Sequence, residues 1–305
     1  MSDLSDDAAT GSDGAATGAF VTHRNLLFTV AYEILGSAVD AEDVLQESWL
    51  RWVEVDLEQV REPRAYLVRI VTRQALNRLR SLERRKEEYT GQWLPEPLLT
   101  APDVAEDVVL ADSVSMALMV VLESLSPAER AVFVLHETFG FSHPEIAEAL
   151  ERSPAAVRQL AHRARGHVEA RRPLHRPDPA ESRRVLEAFT LAIDTGDVQA
   201  LMDVLAPDVV VLADGGGIAQ AVPNAVRGAE RVSRLFLGGM RKAGGDLTAL
   251  PTVVNGHPAL AIMRDGELDG IFSARIQEGR IAGIYYMRNP EKLSHLSEAI
   301  PLTRR

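Results

Sequence analysis

A chain of 305 residues holds enough material for two or three domains, and its 46% hydrophobic and 25% charged content is that of a globular protein rather than a fibrous or disordered one. Zero cysteines exclude disulfides, thiolate metal sites and cysteine nucleophiles, and no apolar run is long enough to span a bilayer. A net charge of -11 argues against indiscriminate nucleic-acid binding, yet arginine is concentrated in two runs, one from Arg69 to Arg85 and one from Arg152 to Arg176, so basic charge is reserved for specific contacts.

Residues 1–19 are acidic, small and polar, lack the basic start and apolar core of a signal peptide, and predict a disordered tail on a cytoplasmic protein. An all-helical unit is expected over 20–88. Leu26, Leu27, Val30 and Ala31 begin a helix that ends near Gly36. A second helix runs from Asp40, as its cap, to Val53. Val44, Leu45, Trp49, Trp52 and Val53 form its apolar stripe, and Glu42, Gln46, Glu47 and Arg51 point outward. After a loop carrying Glu58, Arg61, Glu62 and Pro63, a long helix covers Arg64 to Arg85. Arg69, Arg73, Asn77 and Arg80 share one of its faces at i, i+4, i+8 and i+11.

A linker over 89–106 contains Pro95, Pro97, Pro102 and the string WLPEP, in which Trp93 gains much by burial. Residues 107–172 read as a second helical unit. Ser126 and Glu129 spell a capping box, and Ser142 and Glu145 spell another ahead of Ile146, Ala147 and Leu150. Glu151 and Arg152 make a turn. Ser153 caps the next helix, with Pro154 in its first turn. Val157, Leu160, Ala161 and Ala164 face inward, which leaves Arg158, Gln159, His162, Arg163 and Arg165 outward: a helix-turn-helix whose second helix fits a DNA major groove.

A basic, proline-rich hinge occupies 173–179, and the texture then changes. Over 180–293, helical patterns at Ser182–Asp194, Val198–Leu205 and Gly228–Ala243 alternate with strand-like runs at Val209–Leu212, Leu247–Val254, Ala259–Met263, Gly270–Gln277 and Arg280–Met287. The order predicts a curved antiparallel sheet with helices over one face, an α+β cone, with 294–305 as a tail.

Three blocks in the first half resemble an extracytoplasmic-function sigma factor of bacterial RNA polymerase. DAEDVLQESWLRW (Asp40 to Trp52) resembles sigma region 2.2, PRAYLVRIVTRQALNRLR (Pro63 to Arg80) resembles region 2.3 into 2.4, and Leu125 to Arg165 resembles region 4. The remainder resembles the SnoaL-like extension of one sigma subgroup that carries WLPEP in the linker, DGGG in the extension and NPxKL near the end. Here these are Trp93, Leu94 and Pro95 to Pro97, then Asp214, Gly215, Gly216 and Gly217, then Asn289, Pro290 and Glu291 to Leu293 with Lys292. Ile218 departs from the basic residue that usually follows DGGG. The fold implied is multidomain: two all-α sigma domains and a C-terminal α+β SnoaL-like cone.

The resemblance implies a non-enzymatic factor with no cofactor and no metal. Its partners are core RNA polymerase, through the β′ clamp helices and the β flap, and promoter DNA. No membrane contact is implied. Asp43, Gln46 and Glu47 stand where the family contacts polymerase. Arg64, Arg69, Arg73, Asn77 and Arg80 stand where it meets the −10 element. Arg158, Gln159 and Arg163 are the candidates for −35 bases, and His162 and Arg165 for phosphates. The three extension motifs imply interdomain regulation in cis, and such cones often hold a pocket for a small ligand. Two other readings stay open: a one-component helix-turn-helix regulator with a sensor domain, and a cyclase or isomerase recruiting Asp214 and His257. His136-Glu137 starts a zinc-like HExxH string, but Gly140 stands at the second histidine.

Overall fold

The computed structural model describes residues 6–101, 107–171, 178–242, 246–296 and 299–304. The chain divides into two compact units. One gathers 1–84, 122–170 and 301–305; the other gathers 85–121 and 171–300. Among the described residues no helix is long and apolar enough to cross a membrane.

The first unit is helical. Helix α1 runs Asp6–Leu35, well ahead of the helix start expected at Leu26. The stretch expected to be a disordered tail is therefore helical from Asp6 onward. Ala16 is buried, and its carbonyl accepts the indole N–H of Trp52 at 2.8 Å. A buried indole N–H needs such an acceptor, and small residues let the two helices approach closely enough to supply it. Phe20 meets Trp49 edge to face at 5.2 Å. Helix α2, Ala38–Trp52, is capped by Ser37 rather than Asp40. Asp40 lies buried in the first turn, paired with Arg78. The inward face of α2 is Ala41, Val44, Leu45, Ser48 and Trp52, whereas Val53 is exposed.

Helix α3, Pro63–Glu87, buries Leu67, Val68, Val71, Ala75, Leu79 and Leu82. Farther along the chain come α6 (Pro127–Phe133), a π-type turn at Val134–Thr138, α7 (His143–Leu150) and α8 (Pro154–Glu169). Arg130, at 2% exposure, joins the early and late helices: Nε donates to the Glu33 carbonyl at 2.9 Å and Nη1 to Glu123 at 2.9 Å. Thr138 donates to the Glu33 carboxylate at 3.0 Å. The end of the chain, expected as a tail, packs here too. Leu302 is buried and the Thr303 amide donates to Thr29 Oγ1 at 3.1 Å.

The second unit is built on a six-stranded sheet in the order β2-β1-β6-β5-β4-β3. Its strands are β1 (Leu205–Asp214), β2 (Val226–Arg227), β3 (Leu247–Val254), β4 (His257–Arg264), β5 (Glu267–Gln277) and β6 (Arg280–Met287). Its helices are α4 (Val108–Val114), α5 (Met116–Leu122), α9 (Pro179–Thr195), α10 (Val198–Val204), α11 (Ala229–Lys242) and α12 (Pro290–Leu293). The sheet is mixed, which corrects the antiparallel expectation. Strands β3 to β6 form a meander, and β1 pairs β6 in parallel from Val210↔Gly283 to Asp214↔Met287. A parallel neighbour needs a long crossover, and β2, α11 and β3–β5 supply it.

Alternation along β5 divides the interior between the two faces of the sheet. Phe272 joins Phe189, Phe236, Leu201 and Ile284 under the helices. Its neighbour Ile271 joins Val254, Ala259, Met287, Leu293 and Leu94 on the opposite face. That second face is covered by what the sequence presents as a linker. Leu99 bridges Val254 and Thr100 bridges Ile300. The Asn255 side chain receives the Leu98 amide at 3.0 Å and donates to the Val114 carbonyl at 2.8 Å. Residues 107–121, expected to belong with the helix-turn-helix, therefore sit in the sheet unit. The expected hinge at 173–177 lies outside the described residues; Asp178 caps α9.

Candidate nucleic-acid interface and linker clasp

The helix-turn-helix forms as its caps dictate. Ser142 and Glu145 complete the box at the start of α7, and the Ser142 contacts hold the Glu145 carboxyl below the usual glutamate range. Glu151 ends α7 in the left-handed region (φ 52°), and Ser153 opens α8. Val157, Leu160, Ala161, Ala164 and Val168 are buried, and Arg158, Gln159, His162, Arg163 and Arg165 are all exposed. Two of the five are held in place. Arg163 pairs with Glu129 at 3.0 Å and Arg165 with Glu137 at 2.6 Å. Burial works to raise the Glu129 carboxyl, but Ser126 and Arg163 outweigh it and keep it low. His136 stacks on His143 at 4.4 Å. Burial, then His136, Arg158 and Arg165, push the His143 imidazole below its ordinary value.

The face of α3 carries its cations as spaced, but they meet other parts of the same unit. Arg69 pairs with Glu148. Arg73 donates through Nε to the Ala149 carbonyl at 2.9 Å and through Nη2 to the Glu148 carbonyl at 3.1 Å, and pairs with Glu151 at 3.0 Å. Arg64 stands 5.0 Å over the Phe141 ring. Farther along, Arg80 donates to Asn77 at 3.0 Å, and both are exposed. On α2, Gln46 and Glu47 are exposed. Asp43 pairs with Arg78, which also reaches Asp40 at 2.7 Å and Glu47 at 3.8 Å. In the sequence Arg78 is only one more base of the α3 run; its role in tethering the acidic edge of α2 has no signature in spacing along α3.

The three extension motifs converge on one buried ion pair. Asp214, fully buried at the end of β1, accepts the Lys292 ammonium at 2.8 Å, the Leu94 amide at 2.9 Å, the Gly216 amide at 3.0 Å and the Tyr89 hydroxyl at 2.5 Å. Lys292 also donates to the Leu94 carbonyl at 2.7 Å and lies 3.3 Å from the Trp93 ring centroid. Asn289 caps α12 and donates to the Tyr89 hydroxyl at 2.7 Å. Burial, then Asp214, raises the Tyr89 hydroxyl, which stays protonated to donate. Pro95 is buried beside them, and Pro290 is exposed in the first turn of α12.

Close approach explains the glycines. A Cβ on Gly215 would lie 2.1 Å from the Ala219 carbonyl oxygen, and one on Gly216 (φ +65°) would lie 2.5 Å from Asn289 Cγ. Gly217 faces Thr90, and Ile218 is 61% exposed. Tyr89 and Gln92, which accepts the Ala213 amide at 3.0 Å, belong to the clasp although no sequence motif points to them. Both sit in a polar stretch whose only strong signal is the adjacent Trp93. His257, the other residue considered for cyclase chemistry, contacts the Ala111 carbonyl at 3.0 Å. Asp214 and His257 thus both hold 85–121 to the sheet.

Two stretches of the chain match known protein families. Residues 19–85 match sigma-70 region 2, and residues 115–168 match sigma-70 region 4. Those two regions in that order define a transcription initiation factor rather than an enzyme. The ECF RNA polymerase sigma factor SigJ of Mycobacterium tuberculosis is 38% identical over 289 residues, covering 90% of this chain and 92% of that one. A probable ECF sigma factor of the same organism, SigI, is 33% identical over 281 residues, covering 91% and 94%. The crystal structure of SigJ aligns with a TM-score of 0.74 at 34% identity, over 92% of this chain and 99% of that one, so the C-terminal extension is shared. The chain belongs to the ECF RNA polymerase sigma factor family.

Proposed function

We propose that this chain binds core RNA polymerase in the cytoplasm and directs initiation at its own promoters, with the C-terminal domain setting its activity in cis. The observation that carries the reading is the α8 surface, where five polar or basic side chains stand exposed on one face while the opposite face forms core. Arg158, Gln159 and Arg163 read −35 base edges, since arginine pairs with guanine and glutamine with adenine; His162 and Arg165 meet phosphates. Arg64, Arg69, Arg73, Asn77 and Arg80 meet the −10 strand, where an unstacked base needs a pocket and the backbone needs cations. Asp43, Gln46 and Glu47 contact the β′ clamp helices, and region 4 the β flap.

The clasp supports regulation in cis because it joins the segment between the two sigma regions to the extension through a buried ion pair. Opening it alters the reach of that segment. A small ligand in the cone acts only if it favours the open or the closed clasp. Run-off transcription with purified core polymerase tests the whole reading. Core alone stays silent, and the chain with core yields discrete transcripts. Duplex binding in the absence of polymerase, with no transcripts in its presence, replaces the sigma reading with a one-component regulator.

A further inference from the structure

The C-terminal end of a helix is electron-rich. Its last carbonyls have no partner within the helix, and they form the negative pole of the helix dipole. At the end of α7 that pole is strengthened by two carboxylates, Glu148 and Glu151, with side chains 69% and 74% exposed. The acceptors gathered there are the Glu148 and Ala149 carbonyls and the two carboxylates, and all of them are turned onto Arg69 and Arg73. A run of anionic oxygens spaced along an arginine ridge is also what a DNA strand offers. Beside it, Arg64 is held over Phe141, the residue just ahead of the α7 cap. The occupied stretch covers the first half of the ridge, and Asn77 and Arg80 lie beyond it, exposed.

We propose that the end of α7 covers the Arg64–Arg73 half of the −10 ridge in the free protein, as an intramolecular stand-in for the DNA strand. The helix-turn-helix and the strand then compete for the same guanidiniums. The uncovered half at Asn77 and Arg80 gives DNA a first foothold, and full engagement requires α7 to leave. The cover is built from exposed ion pairs and backbone acceptors, so it is weak enough to be displaced. This inference rests on the reading of Arg69 and Arg73 as −10 contacts.

The test measures binding of a fluorescent single-stranded oligothymidylate to the full-length chain without polymerase. Backbone contacts need no sequence match. In Glu148→Gln/Glu151→Gln, affinity should rise roughly fivefold, the scale of losing two exposed ion pairs. The charge-matched pair Glu83→Gln/Glu87→Gln, also exposed and on α3 itself, should shift it far less. Adding Arg69→Ala/Arg73→Ala to the first variant should abolish the gain. An equal rise in the Glu83/Glu87 variant overturns the cover, because general charge then accounts for it. Unchanged affinity in the Glu148/Glu151 variant, with Arg69→Ala/Arg73→Ala alone still weakening binding, overturns the cover and leaves the −10 role standing. If adding Arg69→Ala/Arg73→Ala leaves the raised affinity of the Glu148→Gln/Glu151→Gln variant unchanged, the −10 role falls and the cover falls with it.

Discussion

Lys292→Met is the sharpest probe of the clasp. It keeps the aliphatic stem and removes the ammonium, with its 2.8 Å pair to Asp214, its 2.7 Å hydrogen bond to the Leu94 carbonyl and its seat on Trp93. Both partners are buried, Lys292 at 4% and Asp214 at 0% exposure, so the variant strands a carboxylate without its cation. Such losses cost about 3–5 kcal/mol. Three other donors still reach Asp214, from Tyr89, Leu94 and Gly216, so the lower end, about 3 kcal/mol, applies here. That corresponds to a roughly hundredfold more frequent opening of the clasp. Hydrogen exchange by mass spectrometry reads it directly: protection of the Leu94 amide should fall by that factor, while α7 and α8 exchange as before. The double variant Asp214→Asn/Lys292→Met should be less damaged than Lys292→Met alone, because neither charge is then stranded. Unchanged Leu94 protection in the single variant, or strictly additive losses in the double, would refute the claim that this ion pair holds the segment to the sheet.

Other consequences are open to measurement. Arg158→Ala should weaken binding of the polymerase complex to a cognate promoter by about 1–3 kcal/mol and relax discrimination at one −35 position; equal affinity in a mobility-shift titration removes it from the readout. Gly216→Ala combines a left-handed backbone with a Cβ 2.5 Å from Asn289, so it should destabilise the sheet unit by roughly 1–3 kcal/mol in urea titration, and a midpoint equal to the parent's would show that the Asp214 turn accommodates a side chain. Glu129 and Glu145 are held below the ordinary glutamate value of 4.5 when folded. The unfolded chain therefore takes up protons first on acidification. The stabilisation is complete above that value and is lost as the pH falls through and below it. Thermal melts of Glu129→Gln/Glu145→Gln should show a weaker dependence on pH between about 6 and 3 than the parent, and parallel curves contradict the assignment.

The local grammar of the chain is legible in its residues alone. Ser142, Glu145, Ser153 and Pro154 announce where α7 and α8 begin, and the spacing of Val157, Leu160, Ala161 and Ala164 tells which face of α8 is left to solvent. Runs such as Leu247–Val254 and Arg280–Met287 match their strands end for end. These signals survive because caps and periodicities act over three or four residues, where the chain is its own context. Pairing across the chain is another matter. Nothing near Ala16 shows that Trp52 needs its carbonyl. Nothing in β1 announces a parallel partner more than seventy residues away. The WLPEP, DGGG and NPxKL strings stand out as motifs, but only folding shows that Asp214 is one acceptor shared by all three. The arginines of α3 are visible as a ridge, and their engagement by the end of α7 is not. Distant partners are chosen by the shape and charge of a whole unit, and those come into being only once the chain has closed on itself.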